Sequence, residues 1–318
     1  MDKERIIWID RMKVIGMYFI IAGHLFPIGY TYIYAFSVPL FFLISGFLYK
    51  QEHSNYIFWK KIALNFIVPL FSIRTIMYFW EMYIYTESEH FLSISEYWLF
   101  MLKGYQNCLG ACWFIYTLIL IRIIFHYIPH TTTRITLFVF LSGIAIYTSV
   151  NNIHKSNAIL NITVAYQPYI IGYLLNHYKT VLDNYKPSLS IIVLSIIVCT
   201  LLLILCGLFN GNVWLYNNGY GQSFILYLGG ILIGTTMIYF LSKINGKYAT
   251  NIITTLSAGN IITLGFHQFF INLIKMTLPF LPYLSYGLAI LILLIFYPII
   301  KFCQAYCPII IGNYHPTK

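Results

Sequence analysis

What most limits the fold of this chain is the recurrence, from one end to the other, of apolar runs long enough to cross hydrocarbon, with no polar block between them large enough for a separate soluble domain. Ten such runs fall near residues 13–31, 33–49, 62–80, 112–128, 135–150, 158–176, 189–209, 222–242, 256–275 and 283–301. Lipid offers no partner to an unpaired backbone group, so a segment must close its hydrogen bonds within a helix or around a barrel. These runs are too long and continuous for barrel strands. Composition agrees: 59% of the 318 residues are hydrophobic and 9% charged, where a soluble domain carries about 25% charged residues. The expectation is an all-α, polytopic transmembrane helical bundle of about ten spans, forming a single domain over residues 1–318.

A net charge of +10 raises nucleic acid as a partner, but the basic residues are not gathered into a patch with interleaved aromatics. They punctuate the gaps between apolar runs, which is the pattern of membrane topology. With the N-terminus in the cytoplasm, Lys3, Arg5, Arg11, Lys13, Lys50, Lys60, Lys61, Arg122, Arg134, Lys179, Lys186, Lys243, Lys247, Lys301 and Lys318 fall inside, and only Lys103, Lys155 and Lys275 outside. That asymmetry predicts cytoplasmic N- and C-termini and an even number of spans. The basic, then apolar, N-terminal stretch has the look of a signal peptide, but no small-residue cleavage site follows it; it reads as a retained first span.

Within that first run, Lys13 stands at the edge and His24 eleven residues further on. On a helix the two lie roughly 16 Å apart, one at a membrane face and one deep within. A titratable group in hydrocarbon is costly, so His24 is the first candidate for chemistry. His267, ten residues after Ser257 in the ninth run, and Arg74, thirteen after Lys61 in the third, are expected at a similar depth. Each also has a structural reading: a histidine bonded to a facing helix, and an arginine paired with Glu81. Paired intramembrane histidines also raise haem ligation, although no attachment motif or further bracketing histidine is present.

Two outer stretches stand out. Residues 81–111 hold Glu81, Glu87, Glu89, His90 and Glu96, with an interfacial helix expected around SISEYWLFMLKGY and its Tyr97 and Trp98 at headgroup level. NGNVWLYNNGYG, Asn210 to Gly221, suits carbohydrate or a membrane interface equally. The six cysteines form no metal framework with histidine partners, so no metal is expected. Nucleotide-binding loops, GxSxG and HExxH are absent. No matched pair of broken segments relates the two halves, which weakens a transporter or flippase reading for a glycan or other polar substrate without removing it.

The stretch IDRMKVIGMYFIIAGH resembles the opening motif of the acyltransferase-3 family of integral membrane proteins, in which a basic residue precedes a histidine by eleven positions; SVPLFFLISGFLY, Ser37 to Tyr49, is similar to that family's second-span motif. CWFIYTLIL (Cys112 to Leu120) and SAGNIITLGFH (Ser257 to His267) also fit. Lys at position 13 looks most like the fucose 4-O-acetylase branch. Before the third span the basic pair is Lys60 and Lys61, followed by Leu64 and Asn65 where a second basic residue often stands.

The resemblance implies a multi-pass O-acetyltransferase of a bacterial inner or plasma membrane. It would take an acetyl group from acetyl-CoA to a hydroxyl of a cell-surface or lipid-linked glycan. Lys13, Lys60, Lys61 and Arg122 would then meet the donor's phosphates. His24 would act as base or acyl carrier, Ser45 and Gly46 would approach the reacting carbonyl, and Ser45 or His267 would position the acceptor or stabilise the oxyanion. Arg74 and Trp113 complete the expected acceptor site, and the small Ser45-Gly46 pair has close helix packing as its alternative reading.

Overall fold

The computed structural model describes residues 5–84, 92–151, 153, 156–244, 250–277 and 282–312. Lys3, Glu87, Glu89, His90, Lys155, Lys247 and Lys318 of the sequence reading lie outside the described residues. Among those described, the structure is helical and contains no strand. Its helices are α1 (Ile7–His24), α2 (Tyr30–Tyr34), α3 (Ser37–Phe47), α4 (Asn55–Ile62), α5 (Val68–Ile84), α6 (Ile94–Leu102), α7 (Gln106–Leu109), α8 (Trp113–Tyr127), α9 (Thr131–Val150), α10 (Ile162–Leu175), α11 (Lys179–Asn184), α12 (Leu189–Asn210), α13 (Phe224–Ser242), α14 (Thr250–Ala258), α15 (Asn260–Thr277) and α16 (Ser285–Tyr306). A π-helical turn, Ala63–Ile67, joins α4 to α5.

Among the described residues, seven helical stretches are long and apolar enough to cross a membrane: Tyr30–Phe47, Asn55–Tyr83, Gln106–Tyr127, Thr131–Val150, Leu189–Asn210, Phe224–Ser242 and Pro282–Tyr306. Helix α12 shows why the surrounding medium must be apolar. Its twenty-two residues include no charge, and only Ile192, Cys199, Leu203, Gly207 and Asn210 are buried. Leu194, Leu201, Leu208 and Phe209 face outward, a surface that water would penalise at about 25 cal/mol per Å² and that lipid solvates. By contrast α1, with Asp10, Arg11 and Lys13, and the short α10, with Gln167 and Thr163 buried, carry polar groups inward and pack in the interior.

Helix α1 departs from the expected span of residues 13–31. It starts at Ile7, so Lys13 lies inside it, and it stops at His24. The cause is local: Pro27 follows shortly after the C-terminal Leu25, and Gly29 takes a left-handed φ of 86°. Carbonyls freed at this end are capped from other helices. Tyr34 donates to Gly23 O at 2.9 Å, Ser285 to Leu25 O at 3.0 Å and Tyr286 to Ile28 O at 2.8 Å. The other end of α1 is held by Trp8, which donates to Asp183 at 2.7 Å, and by Arg11, which donates to Ile244 O at 2.8 Å. His24 therefore sits on a helix end fixed in three dimensions.

Helices α3 and α10 approach backbone to backbone. A Cβ on Gly46 would strike the Tyr169 carbonyl, and one on Gly172 would strike the Leu43 carbonyl. This is the small-residue contact that lets membrane helices close up. Gly46 is thus turned toward α10, the close helix packing that was the alternative reading of the Ser45-Gly46 pair.

The helix expected around SISEYWLFMLKGY appears as α6, started by a Ser93–Glu96 capping box. Hydrogen bonds from Ser93 hold the exposed Glu96 carboxyl below the usual carboxylate range. Trp98 is exposed, whereas Tyr97 turns inward and is buried. The Asn210–Gly221 loop is tied down: Asn210 donates to Tyr220 O at 2.8 Å and accepts from Ser223 N at 2.7 Å, while Ser156 donates to Asn217 at 2.8 Å.

Candidate active site

A single cavity of about 2220 Å³ brings together residues from most of the chain. Its lining includes Lys13, His24, Ser45, Lys61, Trp113, Arg122 and His267, all expected from the sequence. Lys60 is exposed and does not line it.

Nor does Arg74 line the cavity, although it was expected to meet the acceptor. It is 3% exposed and held through two of its nitrogens: Nε donates to Cys108 O at 2.8 Å, and Nη2 donates to Tyr97 Oη at 2.5 Å and to Glu81 at 3.2 Å. Gly110, which does line the cavity, stands in front of it; a Cβ there would lie 2.8 Å from the guanidinium. Arg74 ties α5 to α6 and to the Cys108 turn, because a buried guanidinium needs an acceptor for each N–H.

The charges of the cavity are segregated. Arg5, Lys13, Lys50, Lys61, Arg122 and Lys179 face it, against two carboxylates, Asp10 and Glu52. Arg5 and Lys13 lie toward the start of α1, and His24 ends that helix, so cations and histidine occupy opposite ends of a segment roughly 16 Å long. Helix α8 repeats the pattern: Arg122 stands nine residues, roughly 14 Å, from Trp113.

At the cationic end the groups differ in freedom. Lys61 pairs with Glu52 at 2.6 Å, and Lys179 pairs with Asp183. Arg122 lies over Phe66 with its guanidinium carbon 5.2 Å from the ring centroid, and its buried Nε has no hydrogen-bond partner. Asp10, 7% exposed, accepts from Arg5 Nε at 2.5 Å and from Ser257 Oγ at 2.5 Å, clamping α1 to α14 beside Lys13. Asn260, at the start of α15, also lines the cavity and leaves both amide atoms buried without a partner.

At the other end His24 and His267 meet, their ring centroids 5.1 Å apart. His267 is completely buried, and its Nδ1 donates to Leu264 O at 2.7 Å. A carbonyl can only accept, so that nitrogen carries the hydrogen and Nε2 of the neutral ring is a lone pair. The lining residues around the pair are uncharged and include several aromatics, one of which, Phe26, has the Lys275 ammonium 5.3 Å from its ring centroid. Tyr34 stands 6.1 Å from His24 and 5.4 Å from Trp214 between centroids, and Trp113 lies 6.3 Å from Tyr216. Among the described residues no group of three or more His, Cys, Asp or Glu side chains comes together to hold a metal.

Arg5, Asp10, Lys50, Lys179 and Tyr34 line the cavity without having been singled out in the sequence, while Trp214 comes from the Asn210–Gly221 stretch that suited carbohydrate or a membrane interface. Asp10 had a signal: it is an acid three residues before Lys13 on the same helix.

The family model described as an acyltransferase domain, that of the acyltransferase-3 family, matches residues 6–302. The chain belongs to the acyltransferase-3 family. It is a membrane acyltransferase, whose reaction requires an acyl donor and an acceptor. Neither the curated proteins nor the solved structures yield a match to it. In this acyltransferase the motif residues Lys13 and His24 share one helix and one cavity, and His267, from the far end of the chain, completes the pair.

Proposed function

We propose that this acyltransferase moves an acetyl group from acetyl-CoA to a hydroxyl of a cell-surface or lipid-linked glycan, as members of the fucose 4-O-acetylase branch do. The observation that carries the reading is the segregation of the cavity, with cations at the Lys13 end and histidines among neutral aromatics at the other. Coenzyme A bears several phosphate charges, which Lys13, Lys61 and Arg122 complement. Trp214, Tyr34 and Trp113 offer flat apolar faces of the kind on which sugar rings rest. The Lys and Arg bias supports a cytoplasmic side for the donor end and both termini, the compartment in which a bacterial cell makes acetyl-CoA.

In this reading the thiol arm extends along α1 from Lys13 toward His24. One ring nitrogen of His24 takes the proton of the acceptor hydroxyl as its oxygen attacks the thioester carbonyl. The new C–O bond forms, the C–S bond breaks, and the leaving thiolate takes that proton back from His24. Ser45, on the cavity wall, donates to the developing oxyanion. The whole chain acts as one domain around this cavity.

Mass spectrometry of surface glycans from cells with and without the gene tests the assignment. Loss of an acetyl increment on deletion supports it and identifies the acceptor; unchanged glycans and lipid-linked sugars refute it.

A further inference from the structure

The His24–His267 pair contains an unanswered hydrogen bond. His267 comes from α15, is fully buried and faces the cavity, yet its Nε2 has no partner. The ring cannot turn to relieve this, because Nδ1–H is committed to Leu264 O at 2.7 Å, with Thr263 O at 3.2 Å beside it. A buried acceptor left without a donor costs about 1–3 kcal/mol, so a fold that holds one in place at its site implies a donor during work. The ring facing it is His24, its centroid 5.1 Å away and its plane tilted by 42°, with no N–H···N bond formed; that separation is short enough for a bond of roughly 3 Å once the His24 ring turns an N–H toward Nε2.

We propose that His267 is the positioning residue of the site: its Nε2 accepts the N–H of His24 and so fixes His24 in the tautomer whose other nitrogen is the base. The inference rests on the acetyl-transfer reading for its catalytic meaning, but the hydrogen bond itself does not. It is the role a carboxylate plays behind a catalytic histidine elsewhere, here filled by a neutral ring. A neutral acceptor suits this site, since a carboxylate at zero exposure would carry an uncompensated charge. The proton balance is simple. His24 keeps its N–H to His267 throughout, and only the proton from the acceptor hydroxyl arrives at its second nitrogen and leaves with the thiolate. His267 thus touches His24 and not the reacting atoms.

Two arms separate this proposal from the transfer reading. The first is spectroscopic: protein with 15N-labelled histidine in nanodiscs, examined for a coupling across an N–H···N bond between His24 and His267. The expected result is one His24 tautomer with that coupling; two exchanging tautomers and no coupling overturn the proposal whatever the enzyme's activity. The second arm compares His267→Gln, whose side-chain oxygen reaches the position of Nε2, with His267→Asn, which does not. H267Q should restore most of kcat, while H267N loses roughly a hundredfold in kcat with KM for acetyl-CoA unchanged. Equal activity in the two variants, or a loss confined to KM, overturns it. Should no transfer occur even in wild type while the coupling is present, the transfer reading fails and the pairing stands.

Discussion

Replacing Arg122 by Gln tests the donor end of the cavity. The guanidinium is held in place before any ligand arrives, 5.2 Å above the Phe66 ring, and its buried Nε is unpartnered, so little side-chain freedom is lost when a phosphate binds. A hydrogen bond to a charged group contributes about 1.5–3 kcal/mol, or roughly a ten- to hundredfold change in affinity. The lower end applies, because Lys13 and Lys61 share the same wall and soften the loss. Arg122→Gln should therefore raise KM for acetyl-CoA about tenfold. Its kcat should hold, since Arg122 is roughly 14 Å along α8 from the aromatic end. Initial rates in proteoliposomes across acetyl-CoA concentrations, at low and high salt, supply the measurement. Salt should weaken the wild type more than the variant. An unchanged KM, or a fall in kcat at constant KM, refutes a phosphate site at Arg122.

Three further outcomes follow from the packing and the aromatic end of the cavity. Gly172→Ala should destabilise the protein by about 1–3 kcal/mol, since its Cβ meets the Leu43 carbonyl and α3 must move; thermal unfolding in detergent shows it, and an unshifted midpoint contradicts the contact. Arg74→Ala should lower stability by a similar ~1–3 kcal/mol through the acceptors it strands, yet leave KM for both substrates unchanged in the protein that remains folded. A selective rise in acceptor KM would instead return Arg74 to the site. Trp214→Ala should raise KM for the acceptor and not for acetyl-CoA, and an effect on the donor alone would contradict an aromatic acceptor end.

Much of this arrangement was legible in the chain. Apolar runs locate the helices because hydrocarbon permits few alternatives, and the eleven-residue spacing of Lys13 and His24 survives intact inside α1. Similar depth of His24 and His267 also followed from counting residues outward, from Lys13 to the one and from Ser257 to the other. Their juxtaposition did not, because which helix faces which is set by packing; the Asp10–Ser257 bond, between positions 247 apart, is equally silent in sequence. The end of α1 at His24 was signalled by Pro27 and Gly29 but masked by the continuing apolar run. Arg74 carried two readings in the sequence, an acceptor contact and a pair with Glu81, and the structure shows the pair. An arginine in a span reads as functional or structural with equal ease until its acceptors, here Glu81, Tyr97 and a carbonyl, are in view.

The most direct test of the central claim, that His24 at the end of this cavity carries acyl transfer, is the movement of radiolabelled acetyl from acetyl-CoA to a lipid-linked sugar by purified protein in proteoliposomes. Wild type should transfer label, and His24→Ala, folded and membrane-inserted, should transfer none above background. Wild-type transfer by His24→Ala would contradict the account.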